Sequence, residues 1–587
     1  MQHSLIIAYW CQPDYCSLVL AHIAAIEFKH MDYTLTTAPL VTIIGPAALW
    51  VHSKLRGLHR RGCCSLSSSR CSGELVSFLF RRCRRPKIRR KNLIFRAVSW
   101  PAAAAALLFS CGVSISSVCS SPSVLRRREE KGLMKKIILV VIPFLLLAIL
   151  ESVDGGCDGD EQETPPGVRP HSVTITEFGA VGDGKTLNTL PFQNAVFYAR
   201  SFADKGGAQL YVPKGRWLTG SFNLTSHLTL FLEEGAVIIG TKDPSQWPIV
   251  EPLPSYGQGI DLLGPRHRSL INGYNLSDVV ITGNKGVIDG QGSIWWDWLQ
   301  SHELNHSRPH IVEFLYSEEI IISNLTFLNS PAWSIHPTYC SNVKVHNVTI
   351  KTPLDAPLTD GIVPDSCSNM CIEDSTISVG HDAISLKSGW DNYGISFGRP
   401  TSDIHINNMN LQASSGAAIA FGSEMSGGIW DIHANYIHVY ESSRGISFRT
   451  APGRGSYIVE VVITDVEMDS VYLAIEFNGN WSSHPDDYFD PSMIPLVDQI
   501  TLKNMKGTNI SVAGVLSGIA GAPFNAICLS NLNFTIADST PPSSWSCSDV
   551  YGYSELVFPE PCSELQNPFT NTSTCFSLSS YSALAVA

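Results

Sequence analysis

The sequence predicts an all-β protein built as a right-handed parallel β-helix. The first observation is a recurring unit in which apolar and polar residues alternate, which is the period of a β-strand. The second is the Asn or Asp in each unit, a residue type that satisfies backbone groups or tolerates left-handed geometry at a bend. The third is the spacing of about 23 to 40 residues between successive units, which is typical of a solenoid.

The repeated units begin beyond about Val173 and share one order of residue types. They are DVVITGNKGVID (278–289), EIIISNLTFLN (319–329), NVKVHNVTIKT (342–352), NMCIEDSTISV (369–379), DIHINNMNLQA (403–413), DIHANYIHVYE (431–441), VEVVITDVEMD (459–469), DQITLKNMKGT (498–508) and AICLSNLNFTI (526–536). No helical period intervenes, so we expect each coil to stack its apolar face on the next. A β-sandwich is the alternative, but it should show Asn-Gly or Asp-Gly hairpins every ~8–12 residues.

The charge of the chain changes sharply at Met134. Residues 1–133 contain 19 Lys and Arg against 6 Asp and Glu, whereas the rest contains 22 basic and 46 acidic residues. Two such different parts are not expected to form one folded unit. We therefore predict that 1–133 is a basic, Cys-containing extension, either unfolded or absent from the mature protein. Its Arg-rich stretch at 81–91 lacks a recognisable binding fold, so no nucleic-acid partner is expected.

A short apolar segment marks the border between the two parts. Two lysines precede an unbroken apolar run of 14 residues from Ile137 to Leu150, and two glycines follow it. This is the layout of a secretory signal peptide, and a membrane span takes about 20 residues. We predict a signal peptide over 134–156, a linker over 157–172, and a secreted, extracellular or cell-wall protein without stable membrane association. If translation starts at Met1, the run becomes an internal signal-anchor.

Cysteine and asparagine usage also indicates the secretory route. Eight of the 16 cysteines follow Met134, an even set suited to disulfides in an oxidising compartment. Glycosylation sequons occur only behind the apolar segment, at Asn223, Asn275, Asn305, Asn324, Asn347, Asn480, Asn509, Asn533 and Asn571. Some of these asparagines could instead stack as ladders between strands.

Two aspartates about one coil apart predict a hydrolytic site. Asp360 in LTDGIVPDSC (358–367) and Asp382 in SVGHDAISLKSG (378–389) are 22 residues apart. Equivalent positions on neighbouring coils lie about 4.8 Å apart, so the two carboxylates can meet. Paired carboxylates with an adjacent proton donor, here His381, are the equipment of glycoside hydrolysis. The alternative is that both aspartates only cap bends.

From about Val173 to Cys562 the sequence resembles glycoside hydrolase family 28, the polygalacturonases, in a plant-type subgroup. The motifs that carry the resemblance are FGAVGDGKTLNTLPFQNAV (178–196), GVIDGQGSIWWDW (286–298), TDGIVPDSCSN (359–369), GHDAISLKSGWDNYG (380–394), GSEMSGG (422–428) and PGRG (452–455). The resemblance implies a β-helical catalytic domain over 173–562, followed by a C-terminal tail over 563–587. It also implies an inverting hydrolase whose partner is a pectic polysaccharide, α-1,4-galacturonan or a related chain.

The resemblance carries catalytic roles to particular positions. Asp360 matches the aspartate of the family's Asn-Thr-Asp motif, and Asp382 matches the second aspartate of its Asp-Asp pair. In family members these two hold the water that attacks the anomeric carbon. His381 stands where the general-acid aspartate is usual, and with an ordinary pKa near ~6.5 its imidazolium could donate the proton. Leu358 replaces the asparagine of Asn-Thr-Asp, and Ala417 replaces the family's active-site histidine.

The predicted substrate-binding residues are Arg449, Lys387 and Ser447. The family's Arg-Ile-Lys motif, whose two cations grip a galacturonate carboxylate, reads Ser447-Phe448-Arg449 here. Arg449 keeps one positive charge and could make a bidentate contact, whereas Ser447 cannot. Lys387 is the other cation expected close enough to hold a substrate carboxylate.

Two classes of function fit these residues. The first is the inverting hydrolase, and the second is a catalytically weak or inactive pectin-binding cell-wall protein, because the usual acid carboxylate is lost. A pectate lyase would share the fold, but it would need a calcium site of several carboxylates and an arginine base, which the sequence does not offer. We expect no cofactor, no metal and a monomer.

Overall fold

A computed structural model describes residues 169–481, 483–537 and 544–566 of the chain. Within these residues the chain winds as a right-handed parallel β-helix, which confirms the predicted fold class. The first strand begins at His171, two residues before the predicted start of the helix, and the last ends at Phe558. The basic extension, the signal peptide, most of the linker and most of the C-terminal tail lie outside the described residues.

Most strands of the described coils belong to one long parallel sheet. Its strands are β1 (His171–Thr174), β2 (Ala208–Val212), β3 (Gly215–Thr219), β5 (Leu228–Leu232), β6 (Ala236–Gly240), β10 (Ser277–Gly283), β11 (Gly286–Asp289), β13 (Glu318–Ser323), β14 (Leu325–Leu328), β16 (Ser341–His346), β17 (Thr349–Lys351), β18 (Ser368–Val379), β20 (Thr401–Ala413), β22 (Ile429–Tyr440), β24 (Tyr457–Asp469), β26 (Leu496–Ile510), β28 (Phe524–Ile536) and β30 (Val550–Phe558). Each strand pairs with its equivalent in the next coil, as a solenoid requires.

A second parallel face carries the predicted site residues. Its strands are β4 (Phe222–Asn223), β9 (Ile271–Tyr274), β12 (Val312–Leu315), β15 (Ile335–Thr338), β19 (Ile384–Leu386), β21 (Ala417–Phe421), β23 (Arg444–Arg449), β25 (Leu473–Asn478), β27 (Val512–Ser517) and β29 (Trp545–Ser548). Single-residue bridges at Ile362 and Asp365 connect β15 to the coil of β19. A short antiparallel pair, β7 (Ile249–Val250) and β8 (Arg266–His267), lies apart from these sheets.

The Asn and Asp residues of the repeat form the bends, as the sequence predicts. Asn324, Asn347 and Asp374 have φ values of 58°, 50° and 51°, the left-handed region that Asn and Asp tolerate best among non-glycine residues. The amide of Asn347 donates to the side-chain oxygen of Asn324 at 2.7 Å. Two sequon asparagines are thus members of a ladder between coils, which was the structural alternative for them.

Apolar residues stack in columns inside the coils. One column on the second face joins the buried residues Ile271, Val312, Ile335, Ile362, Ile384, Ile419, Ile446 and Ile475. Next to it the ring of Phe448 stacks on Phe421 at 4.5 Å and on Phe477 at 4.4 Å. Burying one such side chain contributes about 1.5–3 kcal/mol. These columns fix the register between coils and therefore the positions of the outward-facing side chains.

Three α-helices occur in the described residues: α1 (Thr189–Ala199), α2 (Ser293–Gln300) and α3 (Asp391–Phe397). Short 3₁₀ helices cover Ile175–Phe178, Arg200–Lys205, Pro244–Gln246 and Ser563–Leu565. Helix α1 covers the first coils, where its Phe192 stacks on Phe222 at 4.7 Å. Among the described residues no helix has both the length and the apolar character needed to cross a membrane.

Cysteines of the second half serve two different purposes. Cys547 and Cys562 form a disulfide near the C-terminal end of the described chain. Cys340 and Cys367 are instead free thiols, buried one coil apart. Although the even set of eight cysteines is suited to disulfides, these two stay unpaired, because their side chains pack inside the coils as small apolar groups.

Candidate active site

The register of the second face brings the two predicted aspartates together. Ile362 pairs with Ile384 in parallel, so the positions two residues earlier, Asp360 and Asp382, fall at the start of neighbouring coils. The backbone N–H of Asp382 donates to Oδ1 of Asp360 at 3.0 Å. In the next coil Ala417 occupies the equivalent position, and its backbone N–H donates to Oδ1 of Asp382 at 2.8 Å.

Two glycines allow the close approach of the chain around these carboxylates. A Cβ on Gly416 would lie 2.4 Å from Oδ1 of Asp382, and a Cβ on Gly380 would lie 2.0 Å from the carbonyl oxygen of Ala356. Contacts this short exclude any side chain. Gly380, which precedes His381, and Gly416, which precedes Ala417, are therefore needed for the chain to pack this closely at the carboxylates.

The buried carboxylate of Asp382 accepts a bidentate pair of hydrogen bonds from an arginine. Arg449 donates from its two Nη atoms to Oδ2 and Oδ1 of Asp382, at 2.7 Å and 3.0 Å. Burial alone would raise the pKa of Asp382, but the charges of Arg449 and His381 and the hydrogen bonds from Arg449 outweigh it and hold this pKa well below its usual range. Asp382 is consequently a fixed negative charge with little tendency to take up a proton.

His381 lies between the two carboxylates. Its Nδ1 is 2.7 Å from Oδ1 of Asp360 and 3.5 Å from Oδ2 of Asp382. Burial lowers the pKa of His381, but the charges of Asp382 and Asp360 and the hydrogen bond to Asp360 raise it more, so the net shift is upward. The His381 side chain is 21% exposed against 3% or less for the two carboxylates. Of the three side chains, the imidazole is thus the one that a ligand can reach most directly.

The predicted substrate-binding residues Ser447 and Arg449 are joined to a further carboxylate by a chain of hydrogen bonds. Nε of Arg449 donates to Oγ of Ser447 at 3.0 Å, and Ser447 donates to Oε2 of Glu476 at 2.5 Å. Arg444 is also paired with Glu476, through Nε at 2.9 Å. Burial lowers the pKa of the Arg449 guanidinium, but the charge of Asp382 raises it more, so Arg449 stays charged.

Lys387, the third predicted substrate-binding residue, is also already paired. Its Nζ donates to Oε2 of Glu424 at 2.6 Å and lies 5.4 Å from the ring centre of Trp333. Burial lowers the pKa of Lys387, but the nearby carboxylates, Glu424 first among them, raise it more. Burial raises the pKa of Glu424, and the charge of Lys387 lowers it more, so both partners are ionised.

Helix α3 and two loops form the rim of this site. Asp391, at the start of α3, accepts from Arg454 at 2.5 Å and is 2.6 Å from Nδ1 of His484. On the other side the backbone N–H of Trp390 donates to the carbonyl of Ser255 at 2.8 Å. The segment that carries His484 follows β25, and it also places Trp481 at 4.7 Å from the guanidinium carbon of Arg449.

A second buried network lies on the same face, in the preceding coils. Arg266 donates to Glu313 at 2.7 Å, and His336 is 3.3 Å from Glu313 and 3.2 Å from Asp365. The hydroxyl of Tyr256 donates to Asp365 at 2.7 Å. Burial lowers the pKa of His336, and the hydrogen bonds to Asp365 and Glu313 raise it more. The charged groups of this network pair with one another, which indicates a structural network that anchors the loop of Tyr256.

Among the described residues three clusters have the side-chain types of a metal site, each with its donor atoms within 4.8 Å of one another. One of them contains Cys547 and Cys562, which are already joined in a disulfide. The other two are His310 with Glu313 and His336, and Asp360 with His381 and Asp382. In each of these two an arginine already holds one carboxylate, Arg266 on Glu313 and Arg449 on Asp382. A metal ion would have to displace that arginine, so we assign no metal to either cluster.

Sequence reasoning did not single out Glu424, Glu476 or Trp481. Glu476 is the one charged residue in the strand LAIEFN, and alternation places it outward in register with Ser447. That isolated charge was a usable signal for a site residue. Glu424 lay inside the quoted motif GSEMSGG without an assigned partner. Nothing in the local pattern around Trp481 indicates that it lies over Arg449.

Known proteins resemble the chain in both sequence and structure. Residues 258–557 match the family model described as glycosyl hydrolases family 28. A probable polygalacturonase of Vitis vinifera is 47% identical over 409 residues, covering 69% of this chain and 83% of the relative. Polygalacturonase-2 of Solanum lycopersicum is 23% identical over 414 residues, covering 67% of this chain and 81% of the relative.

Two solved structures have the same fold. The exopolygalacturonase from Thermotoga maritima is 26% identical, with a TM-score of 0.59 and coverage of 66% of this chain and 92% of that chain. The polygalacturonase from Erwinia carotovora ssp. carotovora is 20% identical, with a TM-score of 0.51 and coverage of 65% and 96%. Because the Erwinia carotovora enzyme is only 20% identical, its similarity supports the fold of this chain and nothing further.

Proposed function

Because the chain belongs to glycosyl hydrolases family 28, we propose that it hydrolyses α-1,4-galacturonan or a related pectic chain with inversion. The observation that carries the proposal is a proton donor, His381, within hydrogen-bonding distance of Asp360 and close to Asp382 on one face of the helix. Inverting glycoside hydrolysis requires a group that protonates the leaving oxygen and a carboxylate that activates a water on the opposite face of the sugar.

His381 is the proposed general acid. Its Nδ1 faces Asp360, so the imidazolium keeps its Nε2–H to protonate the leaving glycosidic oxygen. The upward shift of its pKa, which the two carboxylates cause against burial, favours the protonated ring in a mildly acidic cell wall. A donor that is protonated at the working pH is what general-acid catalysis needs.

Asp360 and Asp382 are proposed to hold the attacking water. Asp382, clamped by Arg449 and by the backbone of Ala417, orients the water. Among the described residues Asp360 has no arginine partner, so it is the carboxylate that takes the proton of the water. The bond from the anomeric carbon to the leaving oxygen breaks while the bond to the water oxygen forms on the opposite side, which inverts the configuration.

We expect the protein to release reducing ends from at least one pectic chain and Asp382→Asn to lower this activity about 10²–10⁴-fold, because water is no longer oriented and activated. Asp374→Asn, at an exposed bend, is the matched control and should leave the rate unchanged. NMR of the first product should show inversion. Unsaturated products that absorb in the ultraviolet would show a lyase instead.

One observation favours the second candidate, a pectin-binding wall protein with little or no activity. Both oxygens of Asp382 accept hydrogen bonds from the arginine that was expected to bind substrate, and these bonds compete with the water that Asp382 would orient. Such a protein would bind pectic oligosaccharides in calorimetry and leave them uncleaved. Cleavage by the wild type that Asp382→Asn loses would exclude this candidate.

We further propose that the protein is secreted to the cell wall as a monomer. The support is the signal-like segment at 134–156 and the change of charge at Met134. N-terminal sequencing of protein from its native source should find a mature chain that begins near Gly155 to Asp160. Peptides from residues 1–120 in the mature protein would contradict this proposal.

A further inference from the structure

We infer that the sugar bound beside the catalytic aspartates carries no free carboxylate, so the substrate is a methyl-esterified or otherwise uncharged stretch of a pectic chain. This inference rests on the hydrolase function proposed above and specifies its substrate. It follows from the pairing of the cations in the site, from the buried carboxylate of Glu476 and from the sum of the charges.

The first step concerns the two cations that a uronate would need. Both Nη atoms of Arg449 are bonded to Asp382, and Nζ of Lys387 is bonded to Glu424 at 2.6 Å. Both cations are buried. A free uronate at either cation would share it with a carboxylate of the chain, so two negative charges in a buried site would compete for one positive charge, which is unfavourable.

The second step concerns the outward position of β23 next to Arg449. It is occupied by Ser447, which pairs in register with Glu476 of the neighbouring strand and donates to its Oε2 at 2.5 Å. Glu476 is buried. The carboxylate of Glu476 thus lies beside Ser447. A substrate carboxylate brought next to Ser447 would be repelled by Glu476, because little water is present there to screen the two charges.

The third step is the balance of charge. Four carboxylates face four cations in the site, namely Asp360, Asp382, Glu424 and Glu476 against His381, Lys387, Arg444 and Arg449. With His381 protonated as the proposed acid, the sum is zero and each cation has a carboxylate partner. A uronate would add an uncompensated buried charge, whereas an ester or a neutral sugar adds none.

The test compares homogalacturonans of equal length that carry free carboxyls, methyl esters or, after chemical reduction, no carboxyl. We expect kcat/KM on the esterified chain to exceed that on the free chain at least about tenfold. Equal or faster cleavage of the free chain would overturn the inference and leave the hydrolase function standing. Cleavage of the reduced chain as well would support recognition of any uncharged residue.

If no chain is cleaved, the hydrolase proposal fails, and binding of matching oligosaccharides to the wild type decides the inference separately. Tighter binding of the esterified oligosaccharide supports it, and tighter binding of the free one contradicts it.

Two charge-removing variants test the cause. Glu476→Gln and Glu424→Gln each leave one cation without its carboxylate, so each should raise the ratio of kcat/KM for the free chain to that for the esterified chain about tenfold. Glu467→Gln, which removes the same charge from an exposed position on β24, should leave the ratio unchanged. If both site variants fold by circular dichroism and neither changes the ratio, the inference is wrong. If one fails to fold, the other still decides.

Discussion

Replacing His381 by Ala is expected to lower kcat on a cleavable pectic chain about 10²–10⁴-fold, because the leaving oxygen loses its proton donor. His381→Asp restores the acid that is usual in the resembling family and should preserve or raise the activity. Initial rates of reducing-end release on the same substrate measure both variants. His405→Ala provides the control, because His405 lies on β20 of the long sheet and not at the site.

The outcomes of this experiment separate three roles. If His381→Ala is as active as the wild type, the histidine is structural and another group donates the proton. If neither the wild type nor His381→Asp cleaves any pectic chain, the binding protein is the better description. If only His381→Asp is active, the fold and the two water-binding aspartates are competent for catalysis, and the wild type is inactive because histidine does not act as the proton donor.

The pH profile distinguishes a proton donor from a histidine that only packs. Activity should need the imidazolium and should fall as pH rises through its folded pKa, which the neighbouring carboxylates raise above the ordinary value of about 6.5. Deprotonation of the base sets the acidic limb, so the profile should be bell-shaped. In His381→Asp the alkaline limb should move to lower pH, because a carboxylic acid ordinarily loses its proton earlier.

The repeat made the fold and the meeting of two aspartates predictable. Alternation and Asn or Asp bends define a coil, and once the coil is known, a separation of 22 residues places Asp360 beside Asp382. This prediction needs only backbone register, which the buried columns enforce. His381 follows, because its neighbour in the chain is Asp382.

The ion pairs were not predictable, because they depend on the reach and direction of long side chains. Arg449 is 67 residues from Asp382 and starts two strands away, yet its guanidinium ends on that carboxylate. The sequence therefore indicated a cation for the substrate and could not show that the cation already has a partner. The same limit applies to Cys340 and Cys367. The even number of cysteines after Met134 suited disulfides, but the side chains of these two point into the coils and remain buried thiols.

Arg449→Met is expected to destabilise the fold by about 3–5 kcal/mol at neutral pH, because it leaves Asp382 buried without its counter-charge. Urea unfolding measures the loss. Lys344→Met, which breaks the more exposed pair with Glu373 at 2.8 Å, is the control and should cost about 0–1 kcal/mol. The double variant Arg449→Met with Asp382→Asn should recover much of the loss, because no charge then remains unpaired. A double variant no more stable than Arg449→Met would contradict this explanation.

The pH dependence of the same loss has a defined sign. In the wild type the pKa of Asp382 lies below its unfolded value, so its stabilising contribution is present above the unfolded pKa and is lost only as pH falls through the folded pKa. In Arg449→Met burial still raises the pKa of Asp382 and His381 still lowers it, but the largest lowering charge is gone, so this pKa lies above its wild-type value and ionisation of Asp382 stabilises the variant less. The difference between wild type and variant should therefore be smallest in strong acid, where Asp382 is protonated in both proteins, and largest at neutral pH. A difference that does not change with pH would mean that Arg449 stabilises the fold through packing and not through its charge on Asp382.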